Sequence, residues 1–417
     1  MRVSNSSKQT IPTRIPRIIF ISLFFATMAE MMGMGILLPI LPDFAKNLGA
    51  SATLVGIIFA GFALARGIFG PVFGRLSDKY GRKKFMLTGL LMYAALSVGF
   101  IFLIHHLFFI ALLWFLQGMA SSMVTPLAQS YIGDNTPKGK EGGVMNLFFL
   151  GQFGGIAFGP VIGGYLVDHY AITTPFYVMG GAALLGLILV GLVLPSATSE
   201  EKEAKAEADG FRFKESLLQV WRDRKMKGIL VYIVGRGFYR WGFNTMFPIY
   251  AITIASLSHS QVGIVLSCYM LSGALLQYPF GLISDRLLKY RSEMVLIGGL
   301  VAAISTFFIV SFTSLSLLIG LVIIMGAFSA ASRASAVAIR TERGRIHGMG
   351  VVTGVFMTSI SLGQVLGPVG FGAVTDWLSI SASFYMGASV GLVTTFLAYF
   401  YLRKDRKEKR KLALETS

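Results

Sequence analysis

The sequence has little of what an enzyme, a disulfide-bonded domain or an ATP-driven machine needs. Its single cysteine, Cys268, excludes an intrachain disulfide and a cysteine-built metal site. No phosphate-cradling Gly-Lys-Ser/Thr motif occurs, and no paired carboxylates or Ser-His-Asp set suggests catalysis. Charged residues make up only 14%, against about 25% in soluble domains. We therefore expect a chain with little water-exposed surface that is not an enzyme and holds no metal or cofactor.

Long apolar runs take the place of these features. Of the 417 residues, 54% are hydrophobic, and a membrane-spanning helix needs roughly 20 mostly apolar residues. The N-terminal run is too long for a signal peptide and ends without a small-residue cleavage site, so we count it as a span. The sequence predicts an all-α membrane protein with twelve transmembrane helices, at 18–41, 52–73, 85–104, 107–129, 144–166, 172–195, 228–253, 261–283, 293–313, 315–338, 347–372 and 378–402.

Basic residues outnumber acidic ones by 37 to 20, and the net charge is +17. Given these spans, 33 of the Lys and Arg residues fall on one side, the segment 333–346 included, and Lys46 alone falls on the other. The positive-inside rule then places both termini in the cytoplasm. Because the charge records topology, nucleic acid is not an expected partner. We expect a monomer in a bacterial inner (plasma) membrane, with membrane lipids around it and a small-molecule or lipid substrate.

The chain repeats itself weakly. GRLSD at 74–78 matches GLISD at 281–285, and GPVIGGYLVD at 159–168 matches GPVGFGAVTD at 367–376. Six spans followed by six in the same orientation predict parallel halves related by an axis along the membrane normal. The predicted organisation is an N-terminal half (1–195), a cytoplasmic linker (196–227) and a C-terminal half with a basic tail (228–417). Two halves that rock about a central site form an alternating-access machine.

The loop GRLSDKYGRKK at 74–84 resembles the signature loop of the major facilitator superfamily, and the resemblance covers nearly the whole chain. It implies a charge latch between helices of the two halves that stabilises the outward-open state. The alternative is a plain positive-inside loop. The residues expected to gate are Gly74, for close helix contact, Asp78, Gly81, for the turn, Arg82, and Asp285 in the partial copy.

Glycines recur along the fifth span, and this pattern is similar to the antiporter motif of drug:proton exporters in the same superfamily. Glycines four apart permit close helix approach, although generic small-residue packing would give the same pattern. The motif residues are Gly151, Gly155, Gly159, Pro160, Gly163 and Gly164. The first span, EMMGMGILLPILP at 30–42, also resembles that of tetracycline and multidrug exporters. Two positions depart from that branch, which usually has Arg at the place of Trp114 and Gln at that of Arg66.

Four ionisable residues lie inside the predicted spans, where each is costly unless it is paired or hydrated. Glu30, roughly 18 Å into the first span, is the candidate for proton exchange, with a structural glutamate as the alternative. Arg236 and Arg240 project from one face of the seventh span, although Arg236 could instead snorkel. Arg66 either snorkels or pairs with Glu30. Further candidates for the substrate site are Tyr239, Asn244, Gln152 and Gln364, although the two glutamines could instead bond between helices.

Two functions follow, and a third is less favoured. The resemblance implies a secondary transporter, a proton-coupled exporter of small amphipathic organic compounds of the multidrug type, driven by a proton gradient. The excess of buried arginine instead favours a transporter or flippase for anionic or zwitterionic cargo, such as an organic anion or a lipid headgroup. A non-transporting membrane sensor on the same fold is the remaining alternative. Asp168 and Asp376 are expected to cap the ends of their own spans.

Overall fold

A computed structural model describes residues 16–136, 141–195 and 222–415, except for the side chains of 141–143, 146, 349–350 and 404–415. The described chain is helical throughout. Its α-helices are α1 (Arg17–Leu37), α2 (Leu41–Asn47), α3 (Ala52–Tyr80), α4 (Arg82–Leu103), α5 (Leu107–Ser122), α6 (Thr125–Asp134), α7 (Glu141–His169), α8 (Thr174–Val193), α9 (Arg224–Thr253), α10 (His259–Arg286), α11 (Arg291–Phe308), α12 (Leu315–His347), α13 (Met349–Trp377) and α14 (Ile380–Glu415). Short 3₁₀ helices flank α11 at Leu288–Tyr290 and Ile309–Ser311.

Two of the predicted spans are broken. The first predicted span, 18–41, is α1 followed by a turn and α2, because Pro39 lies in the turn and Pro42 opens the second helix. The fourth, 107–129, is α5 followed by α6, with a break at Met123 and Val124 before Pro126. Proline has no backbone N–H to continue a helix and is favoured in the first turn of a new one, although other prolines, such as Pro160 in α7, lie inside unbroken helices. These breaks were not predicted.

Eleven stretches of the described chain are long and apolar enough to cross a membrane. The predicted seventh span does not meet that composition, because α9 carries Arg236 and Arg240, yet it is 30 residues long and packs between α13 and α14. Most of the predicted linker, 196–227, lies outside the described residues, and its end belongs to α9, which begins at Arg224.

Helix contacts form two sets joined by two seams. In the first set, α1 packs on α7 and α8, and α5 packs on α3 and α4. In the second set, α9 packs on α13 and α14, and α12 packs on α10 and α11. The seams join α7 to α10 and α3 to α13. We call the end of the molecule with the α3–α4 and α10–α11 connections the basic end, and the other the opposite end.

The seams are tight only toward the opposite end. A Cβ added at Gly56 would overlap the carbonyl of Pro368, and one at Gly263 would overlap that of Pro160. Near the basic end of α3, a Cβ at Gly70 or at Gly74 would meet nothing within 4 Å. The helices of the two sets are therefore in backbone contact at the opposite end and diverge toward the basic end. The helix bundle is therefore closed at one end and open at the other.

Asp223 joins α9 to α12 at the basic end. It caps α9 by accepting from the backbone N–H of Met226 at 3.0 Å, and His347 Nε2 lies 2.8 Å from its carboxylate. Burial raises the pKa of this carboxyl, but the hydrogen bonds and the nearby charge of Arg343 outweigh burial, and the pKa lies below its usual value. Asp223 thereby holds the start of α9 against α12. Helix α9 is the one that carries Arg236 and Arg240.

Candidate functional site

Glu30 is enclosed by the first set of helices. It is 1% exposed, and its two carboxylate oxygens accept hydrogen bonds from the hydroxyls of Ser121 and Thr125. These hydroxyls lie on either side of the break between α5 and α6, so the break presents both to one carboxylate. Tyr93 donates to the backbone carbonyl of Glu30 at 3.3 Å. Because a hydroxyl can donate or accept, this pocket can satisfy the ionised and the protonated carboxyl alike.

Arg66 and Glu30 form no direct ion pair among the described side chains. Arg66 lines a small cavity of about 20 Å³ between the two sets of helices. Trp114 of α5 lines this cavity from the first set of helices, and Trp241 of α9 and Gln364 of α13 line it from the second. Gln364 lies beside this cavity, and its role in a substrate site stays a prediction.

Arg236 and Arg240 come together with a third arginine, Arg333 of α12. The three line a cavity of about 30 Å³ between α7, α9, α10 and α12, which we call the arginine cavity. Arg236 donates to the hydroxyl of Ser329 from Nε at 3.2 Å and from a terminal nitrogen at 2.9 Å. The Arg333 guanidinium lies 5.0 Å from the centre of the Phe153 ring.

No carboxylate of the described residues pairs with these three arginines or lines the arginine cavity. The polar groups on its wall are instead Tyr269, Gln277 and Ser329, and Nε of Arg240 has no partner. Buried arginines in a membrane are normally paired with acids or backbone carbonyls. The cavity therefore concentrates hydrogen-bond donors and positive charge, and no acidic side chain of the described residues neutralises that charge.

The prediction that Arg333 belongs to the cytoplasmic segment 333–346 is wrong. Helix α12 runs from Leu315 to His347, and Arg333 lies inside it and lines the cavity beside α9. The spacing of four residues between Ser329 and Arg333, which puts both on one helix face, was the available signal. Tyr269, Gln277, Ser121 and Thr125 were also missed, because single polar residues in apolar helices carry no motif.

Three other candidates lie away from the cavities. Tyr239 and Asn244 are buried, and neither the Tyr239 hydroxyl nor the Asn244 amide has a hydrogen-bond partner. Gln152 accepts from Gln129 at 3.3 Å, which is the helix-to-helix bond given above as the alternative.

A groove adjoins the arginine cavity and runs toward the basic end. Its volume is about 970 Å³, and α7 forms one wall while α10 and α12 form the other. Phe153, Ala274 and Gln277 line both the groove and the arginine cavity, so the two are adjacent. We call this space the basic-end groove. It lies where the α7–α10 seam has opened.

The gating candidates form contacts within one set of helices rather than between the two. Arg82 pairs with Asp78 at 2.9 Å and with Asp134 at 2.8 Å. In the second set, Arg291 pairs with Asp285 at 2.8 Å and with Glu342. Gly81 has φ of 100° at the α3–α4 junction, a conformation that glycine adopts without strain.

The expected close helix contact at Gly74 is wrong for this conformation, since a Cβ there would meet nothing within 4 Å. The physical reason is that α3 and α13 have diverged at this depth. No ion pair of the described residues links Asp78 to the second set of helices.

The glycines of the fifth predicted span serve two different contacts. A Cβ at Gly155 or Gly163 would overlap a backbone carbonyl of α1, and one at Gly151 or Gly159 would also collide with α1. Gly164 instead packs against the carbonyl of His259 in α10, across the seam. Pro160 lies within α7, and its own carbonyl meets Gly263.

Asp168 and Asp376 do not cap their own helices, so that expectation is wrong. Asp168 at the end of α7 accepts from the backbone N–H groups of His259 and Ser260, at 3.2 and 2.8 Å. Asp376 at the end of α13 accepts from those of Ala52 and Thr53, at 2.8 and 2.7 Å. Each carboxylate caps the N-terminus of a helix in the other set, where the helix dipole favours negative charge.

The fold and its cavities define a helical membrane transporter: two sets of spanning helices, closed at one end, enclose charged cavities that open toward the other end. The family model of the Major Facilitator Superfamily matches residues 23–258 and 236–417. The chain belongs to this superfamily, and it is a transporter rather than an enzyme.

Two relatives resemble it along nearly their full length. An uncharacterised MFS-type transporter of Methanocaldococcus jannaschii is 28% identical over 382 residues, which cover 92% of this chain and 97% of the relative. The quinolone resistance protein NorA of Staphylococcus aureus is 28% identical over 403 residues, covering 93% and 97%.

Among solved structures, a bacterial homologue of the human lysosomal transporter Spinster, in an inward-facing and unoccupied conformation, superimposes with a TM-score of 0.76. Its sequence identity is 13%, and the match covers 94% of this chain and 97% of that one. This likeness confirms the all-α transporter fold.

Proposed function

We propose that the protein is a secondary transporter for amphipathic organic anions, whose anionic group binds in the arginine cavity. The observation that carries this proposal is the clustering of Arg236, Arg240 and Arg333 without a carboxylate. Guanidinium groups present planar forks of donors that match carboxylate, sulfonate and phosphate oxygens. An anion in the cavity would relieve the mutual repulsion of the three arginines, whereas an organic cation would add to it.

Transport would proceed by alternating access, with the basic end in the cytoplasm as the positive-inside rule predicts. The open groove then gives the cytoplasmic side access to the arginine cavity. The relation to a quinolone resistance protein supports export as the direction of transport. We therefore expect substrate to bind from the cytoplasmic side and to leave when the seams open at the opposite end.

Proton coupling through Glu30 is a second candidate function, and it is favoured by the pocket of two hydroxyls. Ser121 and Thr125 leave both protonation states of the carboxyl satisfied, which a proton-exchanging group requires. The lack of a direct ion pair with Arg66 leaves Glu30 free of a permanent salt bridge. A proton gradient would then drive export of the anion.

The test is transport by the purified protein in liposomes, with an aryl carboxylate compared with a quaternary ammonium compound of similar size. Replacing Arg240 or Arg333 by Gln removes charge-assisted hydrogen bonds worth about 1.5–3 kcal/mol, so anion transport below saturation should fall about 10- to 100-fold. Arg286→Gln removes the same charge from an exposed position of α10 and should leave transport unchanged.

The melting temperature separates binding from folding in this experiment. Removing one of three like charges from the ligand-free cavity should leave the melting temperature of the variant at or above that of the wild type. An equal loss of anion and cation transport would assign the arginines a structural role. Wild-type preference for the cation would contradict the proposal.

A further inference from the structure

We propose that the transported anion is a membrane lipid, whose headgroup phosphate enters the arginine cavity while its acyl chains remain in the basic-end groove. The inference rests on the proposed anion transport and names its substrate class. Three features support it: the small size of the arginine cavity, the large groove beside it, and the depth of Arg333 in the membrane.

Size limits what the arginine cavity can hold. A single water needs about 10–15 Å³ of such space, so a cavity of about 30 Å³ accommodates two waters or one small anionic group. A whole organic anion does not fit there. The rest of any molecule whose anionic group reaches Arg240 and Arg333 must lie outside the cavity.

The basic-end groove supplies the space for that remainder. It adjoins the arginine cavity at Phe153 and Gln277, and its volume of about 970 Å³ is some thirty times larger. Its apolar lining is also exposed to the surroundings, with Leu150 at 50% and Tyr278 at 65%. Since the two walls belong to different sets of helices, the groove opens sideways toward the bilayer as well as toward the basic end.

Charged residues mark the level of the lipid headgroups at the end of the groove. Asp285, Arg291, Glu342 and Arg345 line it there, and Arg291 pairs with both acids. Arg333 lies nine residues before Glu342 on the same helix, or about 13 Å deeper. A phosphate held by Arg333 would therefore have moved nearly half-way through a hydrocarbon core of about 30 Å.

A lipid satisfies all of these conditions at once. Its chains can stay in the apolar groove and the adjoining leaflet, so they are never transferred to water. Only the headgroup, which the bilayer excludes, requires a protein path, and the three arginines provide it with a counter-charge. A soluble anion would need the arginines but not an apolar groove that is open to the membrane.

The experiment compares a fluorescent phosphatidylglycerol with a short water-soluble aryl carboxylate, both measured in liposomes with the same protein. Lipid movement between leaflets is followed by chemical reduction of the outer-leaflet fluorophore. Gly281→Trp narrows the groove for acyl chains but leaves most of its volume of about 970 Å³ open to a short carboxylate. A Cβ at Gly281 meets nothing within 4 Å, so the backbone need not move. Gly320→Trp is the matched control, because Gly320 has equally open surroundings and does not line the groove.

We expect Gly281→Trp to lower lipid translocation about tenfold and to leave carboxylate transport within twofold, whereas Gly320→Trp should leave both activities unchanged. Arg333→Gln should lower both activities. Wild-type transport of the carboxylate without lipid translocation would overturn the inference while anion transport stands, as would an equal loss of both activities in Gly281→Trp. Transport of neither anion by the wild type, or no effect of Arg333→Gln on either, would overturn the proposed function as well.

Discussion

Glu30 and the arginine cavity occupy separate places in the molecule. Glu30 is held by hydroxyls of α5 and α6 in the first set of helices, whereas the arginines project from α9 and α12 in the second. The proposed proton site and the proposed anion site can therefore be occupied at the same time. Any coupling between them must pass through the conformational equilibrium that both sites bias, rather than through a shared ion pair.

Glutamine at position 30 tests this arrangement. Glu30→Gln keeps the shape of the side chain and one hydroxyl acceptor, but it cannot exchange a proton. We expect pH-driven anion transport to be abolished, while exchange of labelled for unlabelled anion at equal pH persists within about threefold. Both are measured in liposomes with and without a pH gradient. Full pH-driven transport by this variant would contradict a coupling role for Glu30.

At the scale of elements, α1 and α7 are in backbone contact because α7 presents glycines to α1. The contact has no room for a methyl group: a Cβ at Gly155 would overlap the carbonyl of Met28. Dispersion between closely packed backbones is the main attraction between helices in lipid. The neighbouring Gly154 faces open space instead. Alanine at position 155 therefore tests helix packing, whereas alanine at position 154 tests helix propensity alone.

Gly155→Ala should push α1 and α7 apart and destabilise the protein by about 1–3 kcal/mol, as overpacking of a core does. Gly154→Ala should be neutral or slightly stabilising, since alanine is favoured over glycine in a helix interior by about 1 kcal/mol. The melting temperatures of the two purified variants provide the comparison. If both variants melted alike, the close contact between α1 and α7 would not be a source of stability.

At the scale of the whole molecule, two reciprocal contacts close the opposite end. Asp168 caps α10 and Asp376 caps α3, so each set of helices supplies one carboxylate and one helix N-terminus. His259 strengthens one of the two contacts, because its ring nitrogens lie 3.3 Å from Asp43 and 3.4 Å from Asp168. Opening this end would require both caps to be lost, so we expect the two carboxylates to control the proposed alternating access.

The double substitution Asp168→Asn with Asp376→Asn should favour the state that is open at the opposite end. Each lost charge at a helix N-terminus is worth about 0.3–1 kcal/mol, so the two together should shift the equilibrium roughly 3- to 30-fold. Spin labels at Lys46→Cys and Trp377→Cys, with Cys268→Ser, report the distance between the two sets of helices. We expect a longer mean distance in the double variant.

Asp285→Asn is the control for this shift, since Asp285 pairs with Arg291 within one set of helices at the basic end. It should leave the distance at the opposite end unchanged. An unchanged distance in the double variant would show that the caps do not set the equilibrium.

The sequence by itself determined the features that depend on local order. Apolar runs predicted membrane helices because each must satisfy its own backbone in lipid, and the loop at 74–84 pointed to the superfamily. The spacing of Arg236 and Arg240 placed them on one helix face for the same local reason. The helix breaks beside Pro39 and Pro126 could not be predicted in the same way, since Pro160 and Pro248 lie inside unbroken helices of this chain.

Only the tertiary structure decided which helices face one another. Arg333 joins Arg236 from 97 residues away, and Asp168 caps a helix that begins 91 residues later. Such partners are chosen by packing, which buries small residues of one helix against the backbone of another and leaves no periodic trace in the chain. For that reason, only the packed helices show the arginine cavity, the lack of an acidic side chain in it, and the groove beside it.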